Sequence, residues 1–457
     1  MTSGSATLAE LFGKRGSAAL WAGGTTHAAT ALHTGAEAWS HALQRAGIMA
    51  GDRVICALPN DAAFAMLVCA TLASGITLVP VPERESPDAL LVPLDARLAV
   101  AVTASHRHVV TPGDDGGPPR DSIVARDAAV CTDGIAFLLR TSGTTMAPRF
   151  VALRDSGVLA VLHSHLPRMA IDDRSVLAVL PWHHAYGLVL DLLPALLRAR
   201  CVVSAGPAAR DAAALRVLAR THAIDHLSMV PLTASRLAAT PGGVAFLESL
   251  SGGLIGGAPI DARLAGIMAR TRLRIGYGQT EASPGIMLSE PGEFTDALLG
   301  RPVGCEVRIE PDDVLAFRGP NACAGVWDNG ALQPLSASRW HRTGDIVSMR
   351  GDAYTYVGRS SMTFKLANGR MVPAPHLEAA IRRALPQVTD VVLTPHAGEF
   401  IDVCYSTADG RAVPDDALRA ALGGLGDNMG CSVRIDAEQW TRTPKGEIDR
   451  RQLPVSR

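Results

Sequence analysis

The chain has 457 residues, 47% of them hydrophobic, enough to bury a large core and to fill more than one domain. Its 43 Lys plus Arg nearly balance 44 Asp plus Glu, so a formal charge of -1 provides no long-range field for nucleic acid or an anionic membrane. Eight cysteines, at 56, 69, 131, 201, 305, 323, 404 and 431, show no C-x-x-C and no zinc-type pairing, which suits buried thiols in a reducing, cytoplasmic setting.

The opening stretch, "MTSGSATLAELFGKRG", has no basic segment followed by an apolar run, and no export signal is expected. Between Trp39 and Pro82, "AWSHALQRAGI", "DRVICALP", "DAAFAMLVCATLASG" and "ITLVPVP" read as helix, strand, helix, strand. That alternation predicts parallel β-α-β units with helices on the sheet faces. "IAFLLRTSGTTMAPRFVAL", from Ile135, is an apolar strand entering a loop of glycine and hydroxyl residues. Such a loop either turns N–H and O–H donors toward a polyphosphate or is a plain polar turn. It lacks the Gly-Lys-Ser/Thr ending of a P-loop.

"SVLAVLPWHHAYGLVLDLLPALLRAR" is long enough to cross a membrane, but His183, His184, Asp191 and two prolines interrupt it, and it reads as core. The strand and helix alternation continues through this segment, "RLAATPGGVAFLESL" and "LRIGYG"; "HRTGD" then places an aspartate in an expected turn. After "GDAYTYVGRSS" the pattern changes to "PHLEAAIRRAL", "DVVLTPH", "FIDVCYST", "DALRAALGGLG" and "CSVRIDAE", a helix, two strands, a helix and a strand. The expected architecture is α/β, with a large N-terminal domain over 1–359 and a small α+β C-terminal domain over 360–457. The histidines of "HRH" at 106, "HSH" at 163 and His183–His184 lack the acidic or thiolate company of a metal site.

In this order, "TSGTT", "GGLIGGAPI", "IGYGQTEAS", "HRTGD", "YVGRSSMTFKLANGR" and the final "TPKGEIDR" resemble the adenylate-forming superfamily of acyl-CoA synthetases, aryl-acid ligases, peptide-synthetase adenylation domains and luciferases. The resemblance spans nearly the whole chain. It implies a mobile small lid domain and ATP-dependent conversion of a small carboxylic acid into an acyl adenylate and pyrophosphate. The acyl group would pass to the thiol of CoA, or of phosphopantetheine on an acyl carrier protein. An amide-forming ligase and a catalytically impaired nucleotide-binding relative are the alternatives; no nucleic acid and no membrane span are implied.

By the same resemblance, Thr141, Ser142, Gly143, Thr144, Thr145 and Arg149 hold the ATP phosphates. Gly256, Gly257 and Ala258 line the adenine site, with Tyr277 stacked on the base. Thr280 contacts the α-phosphate, Glu281 holds Mg²⁺, and Asp345 and Arg359 bind the ribose hydroxyls. His184 borders the acyl pocket, which reads as uncharged because Ala185, Tyr186 and Gly187 stand where peptide-synthetase domains carry an aspartate. An aryl or small to medium aliphatic acid is expected there.

The phosphate loop departs from its family pattern at Met146 and Phe150, and the hinge aspartate is replaced by Ser361. The last departure is sharper: Glu447 stands where the family places its adenylation lysine, and Lys445 lies two residues earlier. In an extended segment residues two apart share a face, so a relocated Lys445 is the first expectation; the second is an enzyme impaired in adenylation or relying on another cation, such as Arg149 or Arg450. Lys365 matches the lysine that serves thioester formation. The chain has three lysines, and these are two of them.

Overall fold

The computed structural model describes residues 7–12, 18–101, 108–119, 123, 125, 134–141, 149–328, 331–442, 448–450, 452 and 453. The expected β-α-β alternation is present. Strand Arg53–Ala57, buried at every position, pairs in parallel with Thr77–Pro80 on one side and Leu98–Ala101 on the other. A strand with both faces covered needs a continuous apolar run rather than alternation, which "VICA" supplies. The helix between the first two strands, Ala62–Ser74, starts where the Asp61 side chain accepts from the Phe64 N–H at 3.0 Å. It is apolar around its circumference because it is packed on all sides, with Phe64, Leu67 and Val68 fully buried.

Among the described residues this eight-stranded sheet runs in the order Ala331–Pro334, Gly325–Asp328, Phe150–Arg154, Ile135–Arg140, Thr77–Pro80, Arg53–Ala57, Leu98–Ala101, Val109–Val110. A second eight-stranded sheet begins with Leu254–Gly256, Arg274–Tyr277 and Met287–Leu288 and later includes Ala353–Arg359 beside His341–Arg350. A four-stranded sheet carries Ser175–Ala178 at its edge, and the isolated bridges Val176–His226 and Met229–Ile255 link that edge to the second sheet. No helix among the described residues is long and apolar enough to cross a membrane.

Two histidines are sealed in this body. His165, 1% exposed, shares a 2.9 Å hydrogen bond with the Ser164 hydroxyl, and His226, 0% exposed, contacts the Met169 carbonyl at 3.0 Å. Burial pushes both from 6.5 down to about 4, so both rings are neutral in the folded state. The unfolded chain takes up these protons first as pH falls. Their contribution is intact above about pH 6.5 and is lost toward pH 4, at up to roughly 3 kcal/mol for each ring. Urea unfolding at about pH 7 and about pH 5 should therefore show a lower midpoint at the acid value.

The small C-terminal domain follows the expected element order closely. Helix Ala374–Ala384, strands Val388–His396 and Phe400–Thr407, helix Asp415–Ala421 and strand Met429–Arg434 surround a core of their own that includes Ile381, Val391, Val403 and Leu418. The two long strands turn at residues 397–399, the "AGE" read from sequence. Glu378, 4% exposed, accepts from the Leu393 N–H at 2.8 Å and from both terminal nitrogens of Arg450 at 2.9 and 2.6 Å. This fork corrects the expectation that Arg450 could serve as the adenylation cation: it is committed to a buried carboxylate. Arg450→Ala leaves that carboxylate without its cation and should destabilise the domain by about 2–4 kcal/mol in denaturant unfolding.

Candidate active site

Asp345 is the centre of the site. It lies not in the expected turn but in strand His341–Arg350, where a bulge performs the same task. Opposite Val314 and Ala316 stand Ile346 and Arg342, so extra residues are accommodated at Thr343–Asp345, and Gly344 takes φ +76° to allow it. The bulge turns the Asp345 carboxylate toward two partners. Tyr277 donates its hydroxyl to Oδ2 at 2.7 Å, and Arg359, directly across the strand pair, donates to Oδ1 at 2.6 Å. The same Arg359 nitrogen reaches the Thr343 carbonyl at 3.1 Å, while the Thr343 hydroxyl accepts from the Asp345 N–H at 3.0 Å.

The electrostatics follow from this packing. Burial, then the Asp345 charge, push the Tyr277 phenol well above its ordinary value, so it remains a donor. Asp345 is 7% exposed, and Arg359 supplies the countercharge that makes its burial tolerable. Tyr277, Asp345 and Arg359, far apart in sequence, thus meet as one polar cluster. Thr343 belongs to it as well and was not singled out in the sequence; only the strand register shows its hydroxyl beneath the carboxylate.

Gly256 pairs in register with Gly276, one residue before Tyr277. A Cβ on Gly256 would lie 2.3 Å from the Gly276 carbonyl oxygen, so the two strands approach closely only without side chains. Gly257 is exposed and Ala258 half-buried just beyond the strand end, beside Tyr277 in the neighbouring strand. Thr280 and Glu281 form a single 3-10 turn after that strand, fixed by the Cys323 N–H donating to the Glu281 carbonyl at 2.8 Å. Among the described residues neither the Thr280 hydroxyl nor the Glu281 carboxylate has a side-chain partner. A half-buried carboxylate of this kind, as at Glu281, is suited to a divalent cation.

Strands Ile135–Arg140 and Phe150–Arg154 pair antiparallel, so the hydroxyl-rich segment joins two adjacent strands. At its base the Thr141 N–H donates to the Arg149 carbonyl at 3.0 Å. Ser142, Gly143, Thr144 and Thr145 lie outside the described residues, as do Lys445 and Glu447. The residues that flank this stretch, Arg442 and Ile448, pair antiparallel. Lys365 is exposed on the hairpin of Phe364–Lys365 and Met371–Val372, with no hydrogen bond or ion pair to the Asp345 cluster.

His184 is exposed, its ring 4.5 Å from that of His183. Two residues on, the Tyr186 hydroxyl donates to the Leu254 carbonyl at 2.7 Å, and its ring lies 4.0 Å from the Cβ position of Gly257. Tyr186 thereby joins the His184 segment to the glycines beside Tyr277. It was legible in the sequence only as a residue replacing an expected aspartate.

The sequence matches the family described as AMP-binding enzyme over residues 13–322. It is 28% identical over 429 residues to a feruloyl-CoA synthase from Amycolatopsis sp, covering 84% of each chain. The ATP-bound structure of MatB from Rhodopseudomonas palustris superposes with a TM-score of 0.76 at 19% identity, covering 97% of each chain. The amide bond synthetase McbA from Marinactinospora thermotolerans gives 0.74 at 22% identity, again over 97% of each. At these identities the structures establish a shared fold, while the family match covers most of the body that carries the Tyr277–Asp345 pair. On that match the chain belongs to the AMP-binding enzyme family.

Proposed function

We propose that this protein is an ATP-dependent carboxylic acid ligase that forms an acyl adenylate and transfers the acyl group to a thiol. The observation that carries the reading is the Tyr277–Asp345–Arg359 cluster, whose tyrosine lies inside the family-matched residues 13–322 and whose ion pair follows them: a carboxylate held by a phenol and a guanidinium, beside a glycine-lined strand end. In the first step a carboxylate oxygen of the acid attacks the α-phosphorus of ATP, and the bond from that phosphorus to the β-bridging oxygen breaks. The products are acyl adenylate and pyrophosphate. In the second, a thiol sulfur attacks the acyl carbon, the carbon–oxygen bond to AMP breaks, and the thiol proton leaves to solvent.

Asp345 accepts from the ribose hydroxyls, with Arg359 holding it in place, and Tyr277 and Gly256–Ala258 border the base. Thr141 and Arg149 stand at the base of the phosphate segment, to which Ser142–Thr145 contribute donors. Thr280 positions the α-phosphate. Mg²⁺, held by Glu281, would offset the mutual repulsion of the two anionic reactants. Lys445 supplies the mobile cation, Lys365 serves the thioester-forming arrangement, and His184 borders the acid. We place the division between the two domains after Arg359, where strand Ala353–Arg359 ends, and the protein in the cytoplasm.

CoA is the favoured acceptor, since the feruloyl-CoA synthase relative aligns over 84% of its own length; a carrier-protein thiol is the second reading. The test is ATP–pyrophosphate exchange with a panel of aryl and aliphatic acids, followed by addition of CoA, carrier protein or amines. Acid-dependent exchange is expected, with CoA ester formation. Exchange without any CoA ester, accompanied by amide formation, would reassign the acceptor; absence of exchange with every acid would refute the ligase reading.

A further inference from the structure

The acid-bordering segment was read as uncharged, yet it contains Asp191, 1% exposed, with neither carboxylate oxygen in contact with a hydrogen-bond partner among the described residues. Its neighbours in the chain, Leu188, Val189, Leu190, Leu192 and Leu193, are all buried and apolar. A buried carboxyl group without a partner is costly, and native structures keep such a group for a reason.

The local backbone points the same way. Residues Leu188–Leu192 form a π turn closed by the Leu193 N–H donating to the Leu188 carbonyl, five residues back. A π turn inserts one residue into the helical path and re-aims the side chains that follow, a device found mostly at functional sites. Burial, then the nearby Asp191, push the Tyr186 phenol well above its ordinary value, so it remains a donor. That hydroxyl is already donating to Leu254, so it does not satisfy the carboxyl. Tyr186 meets Gly257 where the acid-bordering segment reaches the strand end beside Tyr277, and Asp191 lies five residues further along the same segment.

We propose that Asp191 is the specificity residue of the acid pocket and pairs with a neutral O–H or N–H donor on the acid. The substrate class is an acid bearing a hydroxyl or amino substituent away from its carboxylate. This rests on the ligase reading given above. Burial drives the Asp191 carboxyl well above the usual carboxylate range, which keeps it neutral and able to accept through its carbonyl oxygen. An acid lacking the donor leaves that oxygen unpaired, and a site built for a hydrogen bond penalises such an analogue strongly.

The experiment compares pyrophosphate release with matched acids: benzoate against hydroxybenzoates and aminobenzoates, and cinnamate against hydroxycinnamates. The wild type should favour the best donor-bearing member by at least about tenfold in kcat/KM. Asp191→Leu should bring the pair to near parity, and Asp191→Asn, which keeps an acceptor oxygen, should retain part of the preference. Without substrate, Asp191→Leu should unfold at a higher temperature, because an unpaired buried carboxyl is replaced by an apolar group of similar size. A carboxyl with a merely structural role would leave the acid preference unchanged and lower that temperature. Equal turnover of both members by the wild type, or an unaltered preference in both variants, overturns the proposal while leaving the ligase reading intact. Failure of every acid to release pyrophosphate counts against the ligase reading itself and removes the inference with it.

Discussion

Asp345→Ala is expected to lower kcat/KM for ATP by roughly 10² to 10³, through KM and kcat together. The carboxylate is held on one side by Tyr277 at 2.7 Å and on the other by Arg359 at 2.6 Å. A hydrogen bond to a charged group contributes about 1.5–3 kcal/mol, and two ribose hydroxyls would each lose one. Removal of the carboxylate also leaves the Arg359 cation and the Tyr277 hydroxyl without their common partner, so the strand end beside the base loses its organisation. Tyr277→Phe separates these contributions: it keeps the ring, removes only the donor, and should cost about tenfold. Steady-state kinetics with ATP varied and acid saturating distinguish the two variants. Equal, small effects in both would mean that the cluster serves the fold and not the nucleotide.

Lys445→Ala is expected to reduce acid-dependent ATP–pyrophosphate exchange by about 10³, while nucleotide affinity changes little. A unit charge about 4 Å from the bridging oxygens contributes around 4 kcal/mol at an effective dielectric near 20, close to three factors of ten. Because the charge matters most as pyrophosphate departs, the loss belongs in kcat. Glu447→Lys is the complementary variant. If Lys445 performs the task, a second lysine changes the rate little; a marked rise would mean that Glu447 occupies the catalytic position and that the wild type is an impaired enzyme. Lys365→Ala should leave exchange intact and slow only transfer to the thiol, measured as CoA ester formation from preformed acyl adenylate.

Much of the fold could be read because its signals are local. The alternation from Trp39 to Pro82, and the "AGE" turn between two strands of the small domain, depend on apolar period and turn residues that sit within a few positions of each other. The site was legible as an ordered set of short stretches. Their geometry was less so, because it depends on pairing between distant strands. "HRTGD" looks like a turn since Gly344 and Asp345 are turn formers, yet the neighbouring strands absorb the same residues as a bulge. Tyr277 and Asp345 are 68 residues apart, and no local pattern announces their hydrogen bond.

The acid pocket shows a different limit. Asp191 was visible as one of several residues interrupting an apolar run, with His183, His184 and two prolines, which argues against a membrane span but says nothing about what the carboxyl faces. Direction came from the π turn, and helical periodicity carries no mark of an inserted residue. The terminal segment gave the opposite lesson. A face argument for Lys445 and Glu447 rests on residues outside the described ones, and what the structure supplies is their two fixed ends, the antiparallel pair Arg442 and Ile448.

Those ends are anchored by charge as well as by backbone. Arg442 grips Asp390 at 2.9 and 3.0 Å, and Arg450 grips Glu378, so both flanks of the lysine segment are fastened to the strand and helix that form the small domain's core. The two ends of the lysine segment are thus set by the whole domain rather than by the short connection between them. Grafting "TPKGEI" alone onto a relative would transplant letters without their address, whereas exchanging the domain as a unit, anchors included, would carry the cation with it.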